Sequence, residues 1–208
     1  MYDERIQYAL DNFIQSQYFM PMNNSYPLRE EKESGKSDLR VTISNDNLCI
    51  YDFDNKKKCG FVREEKKTGM NKSVDHVLFE KRKDGWRIHL IEMKSSVGCK
   101  TWREGIKPKV RTSYLTSLAI GEFLGIKIVD AIAYTTYENE KFGNVENGAN
   151  PRAMIPQLGI AARDPVIDEW EKDRIYLNLG EELLISHKRI KMTKNEVTGI
   201  LEGALQIG

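Results

Sequence analysis

The chain has 208 residues, 40% of them hydrophobic and 30% charged, which suits one globular domain with a real core and excludes a disordered or fibrous protein. Its net charge of +1 excludes recognition by overall electrostatic balance, so any nucleic-acid face must come from local clusters of lysine and arginine. Cys49, Cys59 and Cys99 are odd in number and lack Cys-x-x-Cys spacing, the N-terminus lacks signal-peptide order, and no apolar run approaches spanning length, so we expect a cytoplasmic protein with no disulfide framework, no structural zinc and no membrane partner.

Ile6, Ala9, Leu10, Phe13, Ile14 and Tyr18 recur at helical spacing and predict an amphipathic helix over 3–19. Pro21 and the polar run from Asn23 to Ser37 end it. Strands are expected at Leu39 to Ser44 and Leu48 to Phe53, joined by Asn45-Asp46-Asn47, followed by a charged loop from Asp54 to Lys72 with an edge strand through Cys59 to Val62. A hairpin then spans Val74 to Lys94. Ser95 to Gly98 reads as a loop, Pro108 opens a helix carrying Tyr114, Leu115, Leu118, Ala119 and Phe123, and Gly125 caps it before a strand over 127–137. Residues 138–165 read as a long binding loop or flap. Arg174 to Leu179 and Glu182 to Met192 read as a strand pair around Gly180. Thr193 with Glu196 predicts a capping box and a C-terminal helix through Val197, Ile200, Leu201, Ala204 and Leu205, a stripe for core packing or for self-association as a homo-oligomer. No repeat or linker divides the chain, giving a single unit over 1–208 with a core over 1–137 and elaboration over 138–208.

The hairpin carries the chemistry. Asp84-Gly85 between strand-like runs predicts a two-residue type I′ turn in which Lys83 faces Trp86. Counting outward, Phe79 faces Leu90, Val77 faces Glu92 and Asp75 faces Lys94. Because side chains alternate with period two, all of these project from one face, apolar in the middle and charged at the far end. A three-residue turn would slip the register by one and separate Asp75 from Glu92 and Lys94. Glu-x-Lys spacing also occurs at Glu30/Lys32, Glu64/Lys66 and Glu65/Lys67, in polar sequence without strand character. Glu92-Met93-Lys94 alone closes an apolar strand, where a charge is costly unless paired or metal-bound.

Asp75, sixteen intervening residues and then Glu92-x-Lys94 resembles the core motif of the PD-(D/E)xK nuclease superfamily, with Val74 where a proline often stands. The resemblance implies an α/β fold with a restriction-endonuclease-like αβββαβ core, a mixed sheet flanked by helices, followed here by the strand pair and helix. It implies a metal-dependent nuclease that hydrolyses phosphodiester bonds of nucleic acid, DNA ahead of RNA, in a setting such as prokaryotic defence or repair. Asp75 and Glu92 would supply oxygen ligands to Mg²⁺ or Mn²⁺, with the backbone carbonyl of Met93 as a third, and Asp75, Glu92 and Lys94 would form the catalytic set. Lys94 as a general base would need its pKa lowered from about 10.4, so the role of orienting the water and stabilising charge is preferred. Family members often add a glutamate from the first helix, for which Glu4 is the candidate, with Glu30 and Glu31 as alternatives if their loop is helical. Lys109 and Arg111, near the start of the later helix, could meet a phosphate, although surface duty is the commoner fate. The other basic runs, Lys56-Lys57-Lys58, Lys66-Lys67, Lys81-Arg82-Lys83 and Lys188-Arg189 with Lys191, read as solvated edges. His76 should point to the opposite sheet face, and His89 and His187 read as surface or edge residues. The alternative function is a non-catalytic α/β nucleic-acid-binding or assembly protein whose hairpin is structural or whose site has decayed.

Overall fold

The computed structural model describes residues 2–12, 19–20, 22–32, 35–51, 53–55, 72–142 and 164–208. In chain order these are α1 (Glu4–Asn12), β1 (Phe19–Met20), β2 (Ser25–Lys32), β3 (Gly35–Ile43), β4 (Asn47–Ile50), a 3₁₀ turn (Phe53–Asn55), β5 (His76–Lys81), β6 (Trp86–Glu92) and β7 (Ser96–Val97). A π-helical turn (Thr101–Ile106) then runs into α2 (Lys107–Leu124), followed by β8 (Ile128–Tyr137), β9 (Asn139–Glu140), α3 (Pro165–Glu171), β10 (Arg174–Asn178), β11 (Glu182–Lys191), β12 (Thr193–Lys194) and β13 (Leu201–Ile207).

The main sheet is mixed, in the order β1-β4-β5-β6-β8-β11-β10, with β8 parallel to both β6 and β11. A second sheet runs β12-β13-β3-β2, and β7 pairs with β9. Alternation along β5 and β6 sends Val77, Phe79, Ile88 and Leu90 into a core shared with Ile6, Trp102, Ile106, Val110, Leu124 and Trp170, which places the helices on that face. The opposite residues, Leu78, Ile91 and Met93, pack with Tyr26, Leu28, Leu39 and Val41 of the second sheet. Among the described residues the expected mixed sheet is flanked by helices on one face, and a second sheet, which the sequence did not predict, covers the other. Among the described residues no helix is long and apolar enough to cross a membrane.

Several expected elements change type. Of the predicted first helix, Glu4–Asn12 is α1, residues 13–18 lie outside the described residues, and 19–20 pair with β4. The polar run after Asn23 is an edge hairpin and not a loop, because Tyr26 and Leu28 alternate inward while Pro27 and Arg29 face solvent, a pattern that an edge strand tolerates. The expected edge strand through Cys59 to Val62 lies outside the described residues, as do 143–163 of the predicted long loop. The end of that loop is α3, begun by Asp164, whose Oδ1 accepts the Val166 N–H at 3.0 Å, with Pro165 in the first turn. The C-terminal helix is replaced by β12, a turn and β13. Asn195 Oδ1 accepts the N–H groups of Val197 and Thr198, Gly199 follows at φ +70°, and the chain leaves extended, with Leu201 and Ile207 inward and Val197 exposed. The predicted helix ending at Gly125 is present, and that glycine caps it at φ +68°.

Candidate active site

The site is built where the β5–β6 hairpin runs out of ladder. Its turn differs from the expectation: Lys81 pairs with Trp86, leaving residues 82–85 as a four-residue loop closed by the Arg82 N–H donating to Gly85 O at 2.7 Å. Gly85 sits at φ +154°, and a Cβ there would lie 2.6 Å from Lys127 O, so the loop is pressed against the entrance to β8 in a way only glycine allows. Trp86 gives its N–H to that same carbonyl, at 2.8 Å. The register is thus shifted by two residues from the predicted one, with Val77 opposite Leu90 and His76 opposite Ile91. An even shift preserves the face of every side chain. One step further out, Asp75 comes opposite Glu92, and not opposite Lys94 as predicted.

Backbone bonds hold both strand ends. The Val74 N–H donates to Ser113 Oγ of α2 at 2.9 Å, and Asp75 O accepts the Phe53 N–H at 2.8 Å. Asp75 Oδ2 accepts the Met93 N–H at 2.6 Å, so the carboxylate replaces a ladder bond that the backbone no longer makes. The Lys94 N–H donates to Thr136 Oγ1 of β8 at 2.9 Å. These contacts fix the backbone of Met93 and Lys94 between two neighbouring strands, and neither Ser113 nor Thr136 carried a sequence signal.

The side chains then converge. Asp75 and Glu92 are buried at 2% and 0% exposure, which makes their charges expensive without compensation. Lys94 Nζ pairs with Glu92 Oε1 and donates to the Met93 carbonyl at 3.0 Å. Lys109, reaching in from α2, lies 2.8 Å from Glu92 Oε1, 3.0 Å from Oε2 and 3.6 Å from Asp75 Oδ1. Burial raises the Glu92 carboxyl from its ordinary 4.5 to about 7, and the Asp75 charge adds to this, while the ammonium groups of Lys94 and Lys109 offset part of it.

The donor set suits a hard dication. Two carboxylates at one point, already spanned by an ammonium, and a backbone carbonyl beside them are oxygen donors of the type that Mg²⁺ and Mn²⁺ prefer. Among the described residues no group of three or more His, Cys, Asp or Glu side chains gathers, so an ion held here would rely on the Met93 carbonyl and solvent for its remaining positions.

The sequence candidates separate cleanly. Asp75, Glu92, the Met93 carbonyl and Lys94 come together, and Lys109 joins them where surface duty was the default. Arg111 lines a cavity of about 360 Å³ whose cations Arg103 and Lys107 are matched by Asp164 and Glu169 at 2.7 Å each. Glu4 is exposed in the first turn of α1. Glu30 and Glu31 belong to β2, in the layer on the far side of the main sheet, so the condition that their segment be helical is not met. Lys56-Lys57-Lys58 and Lys66-Lys67 lie outside the described residues. His76 is buried on the opposite face, its ring 4.9 Å from that of Tyr51.

His89 and His187 are corrections, for both are buried. His187 Nε2 lies 3.0 Å from Thr135 Oγ1 in the aromatic cluster of Trp102 and Trp170. His89 bridges Glu80 Oε2 at 3.0 Å and the Tyr134 hydroxyl at 2.9 Å between the two sheets. Burial pushes the Glu80 carboxyl up, but donors from His89, Asn45 and Arg82 together outweigh it and hold it at about 2. With Glu80 ionised and His89 kept neutral by burial, Nε2–H donates and Nδ1 accepts from Tyr134. Lone histidines in apolar strands carry no sequence mark that distinguishes such a satisfied core position from an edge.

Comparison with known proteins finds no family model, no curated protein and no solved structure that matches this chain.

Proposed function

We propose that the protein is a metal-dependent nuclease of the PD-(D/E)xK type, built on a restriction-endonuclease-like core and cutting phosphodiester bonds of DNA ahead of RNA. The observation that carries this reading is the convergence of Asp75, Glu92, the Met93 carbonyl and Lys94 at one buried strand end. The order α1, strands, hairpin, α2, β8 supports it, with β8 parallel to the motif strand β6. Asp75 Oδ1, Glu92 and the Met93 carbonyl would hold Mg²⁺ or Mn²⁺. Such a dication neutralises charge on the phosphodiester and supplies an activated water.

The chain's own groups do the rest. The Met93 N–H fixes one oxygen of Asp75, so the carboxylate keeps its orientation without substrate. Lys94, with 28% of its side chain exposed against 18% for Lys109, is the more accessible cation of the set. Its ammonium orients the attacking water and stabilises the charge that builds on phosphorus-bound oxygens as the new P–O bond forms and the old one breaks. The attacking water gives up a proton to solvent as the new bond forms, and the departing oxygen takes one up from solvent.

A second reading rests on the double pairing of Glu92 with Lys94 and Lys109, which compensates its charge without a metal and is what a structural cluster would display. A Mg²⁺- and Mn²⁺-titrated cleavage assay on single- and double-stranded DNA and RNA separates the two. Wild type should cut only with metal, and Asp75→Ala and Lys94→Ala should each lose about 100-fold or more, the scale of removing one positioned charge from a transition state. Equal residual cleavage in all three proteins defeats the enzyme reading.

A further inference from the structure

We propose that Lys109 is a resident counter-ion of this site, a built-in cation that holds Asp75 and Glu92 together in the metal-free protein and must leave them before a dication can be bound. The inference rests on the metal-site reading above and adds a device to it.

Three observations carry it. First, the Lys109 ammonium contacts the same oxygens that a dication would need: both oxygens of Glu92, at 2.8 and 3.0 Å, and Asp75 Oδ1 at 3.6 Å. Asp75 Oδ2 is already engaged by the Met93 N–H, so Oδ1 is the oxygen through which that carboxylate can bridge. Ammonium and dication therefore compete for one set of donors. Second, the two carboxylates cannot be left bare. At 2% and 0% exposure neither is solvated by bulk water, and two buried anions side by side repel, so while both are ionised an ammonium placed against them offsets part of that cost. Third, Lys109 has somewhere to go. It stands on α2 with 18% of its side chain exposed, and the flexible four-carbon stem of a lysine lets the ammonium change position while the helix stays in place.

Lys94 does not fill this role. Its backbone is pinned by Thr136 and its ammonium is shared between Glu92 Oε1 and the Met93 carbonyl. The Lys109 ammonium stands against both acids.

Metal affinity should then be set by the competition. Lys109→Met removes the competitor and also the charge that stabilises the empty site. Two changes should appear together. Mn²⁺ measured by titration calorimetry should bind about tenfold tighter or more than to wild type, and the metal-free variant should melt lower than wild type while recovering most of the difference on saturation with Mn²⁺. Lys109→Arg, which keeps a cation against the acids, should bind Mn²⁺ no more tightly than wild type. Lys109→Gln retains an N–H donor for Glu92 and serves as the second variant should the Met form fold poorly; it should tighten Mn²⁺ binding in the same direction.

The outcomes separate the two levels of inference. Wild type that binds Mn²⁺, together with Met and Gln variants that bind it equally or more weakly, overturns the role of Lys109 and leaves the metal site standing. Tighter binding without any loss of metal-free stability also overturns it, because the charge would then act at a distance and not as the ion that holds the acids. Absence of Mn²⁺ binding by wild type and all variants overturns the metal reading, and this inference with it.

Discussion

Glu92→Gln should make the metal-free protein more stable at pH 8, although it removes a residue central to the site. The native environment raises this carboxyl from 4.5 to about 7, chiefly through burial and then through Asp75, net of the help from Lys94 and Lys109. At about 1.4 kcal/mol per tenfold, that bias corresponds to roughly 3 kcal/mol against the ionised form. Because the folded protein holds its proton to higher pH than the unfolded chain, this contribution is fully present below pH 4.5 and is lost as pH rises through about 7. Glutamine, always neutral, escapes the loss but gives Lys94 and Lys109 a weaker partner. Those amines are partly exposed and recover solvent, so about 1–3 kcal/mol of net gain is expected at pH 8, shrinking toward zero at pH 5. Urea unfolding of both proteins in EDTA at pH 5, 6, 7 and 8 measures the difference. A variant less stable than wild type at pH 8, or a difference that does not change with pH, would refute the reasoning and mean that the two ammonium pairs outweigh the cost of burial.

Tyr134→Phe should cost about 1–2 kcal/mol in urea unfolding, because the buried Nδ1 of His89 loses its hydroxyl donor at 2.9 Å while Glu80 keeps the other ring nitrogen in place; no change would show that the network contributes nothing. Gly125→Ala should lower the melting temperature by an amount equivalent to about 1 kcal/mol or more. The residue sits at φ +68° and an added Cβ would collide with Arg5 Nε, so a neutral result would mean that α1 shifts freely against the helix cap.

What could be read from the chain divides along physical lines. Face parity in the hairpin was legible because side chains alternate with period two along both strands, putting Val77, Phe79, Ile88 and Leu90 on one face, and an even register shift cannot alter it. The register itself was not, since it depends on Gly85 meeting Lys127, a residue far along the chain. Gly125 and the strand pair around Gly180 were legible because left-handed glycine is a local demand. The second sheet was not: β2 reads as charged loop until β3 pairs with it, and β13, which pairs with the other edge of β3, reads as a helix because Leu201 and Leu205 satisfy a helical spacing as well as a strand's. The same holds within the site. Asp75, Glu92 and Lys94 share a hairpin and could be found by counting, whereas Lys109 enters from a helix whose placement over β6 no local pattern records.

The account turns on whether the strand end holds a dication. A crystal grown with saturating Mn²⁺ and measured at the manganese absorption edge addresses this directly. The account predicts an anomalous peak bonded to Asp75 Oδ1, Glu92 and the Met93 carbonyl, with the Lys109 ammonium displaced from between the acids. Clear density for Lys109 still bridging Asp75 and Glu92, with no anomalous peak beside them, would contradict it.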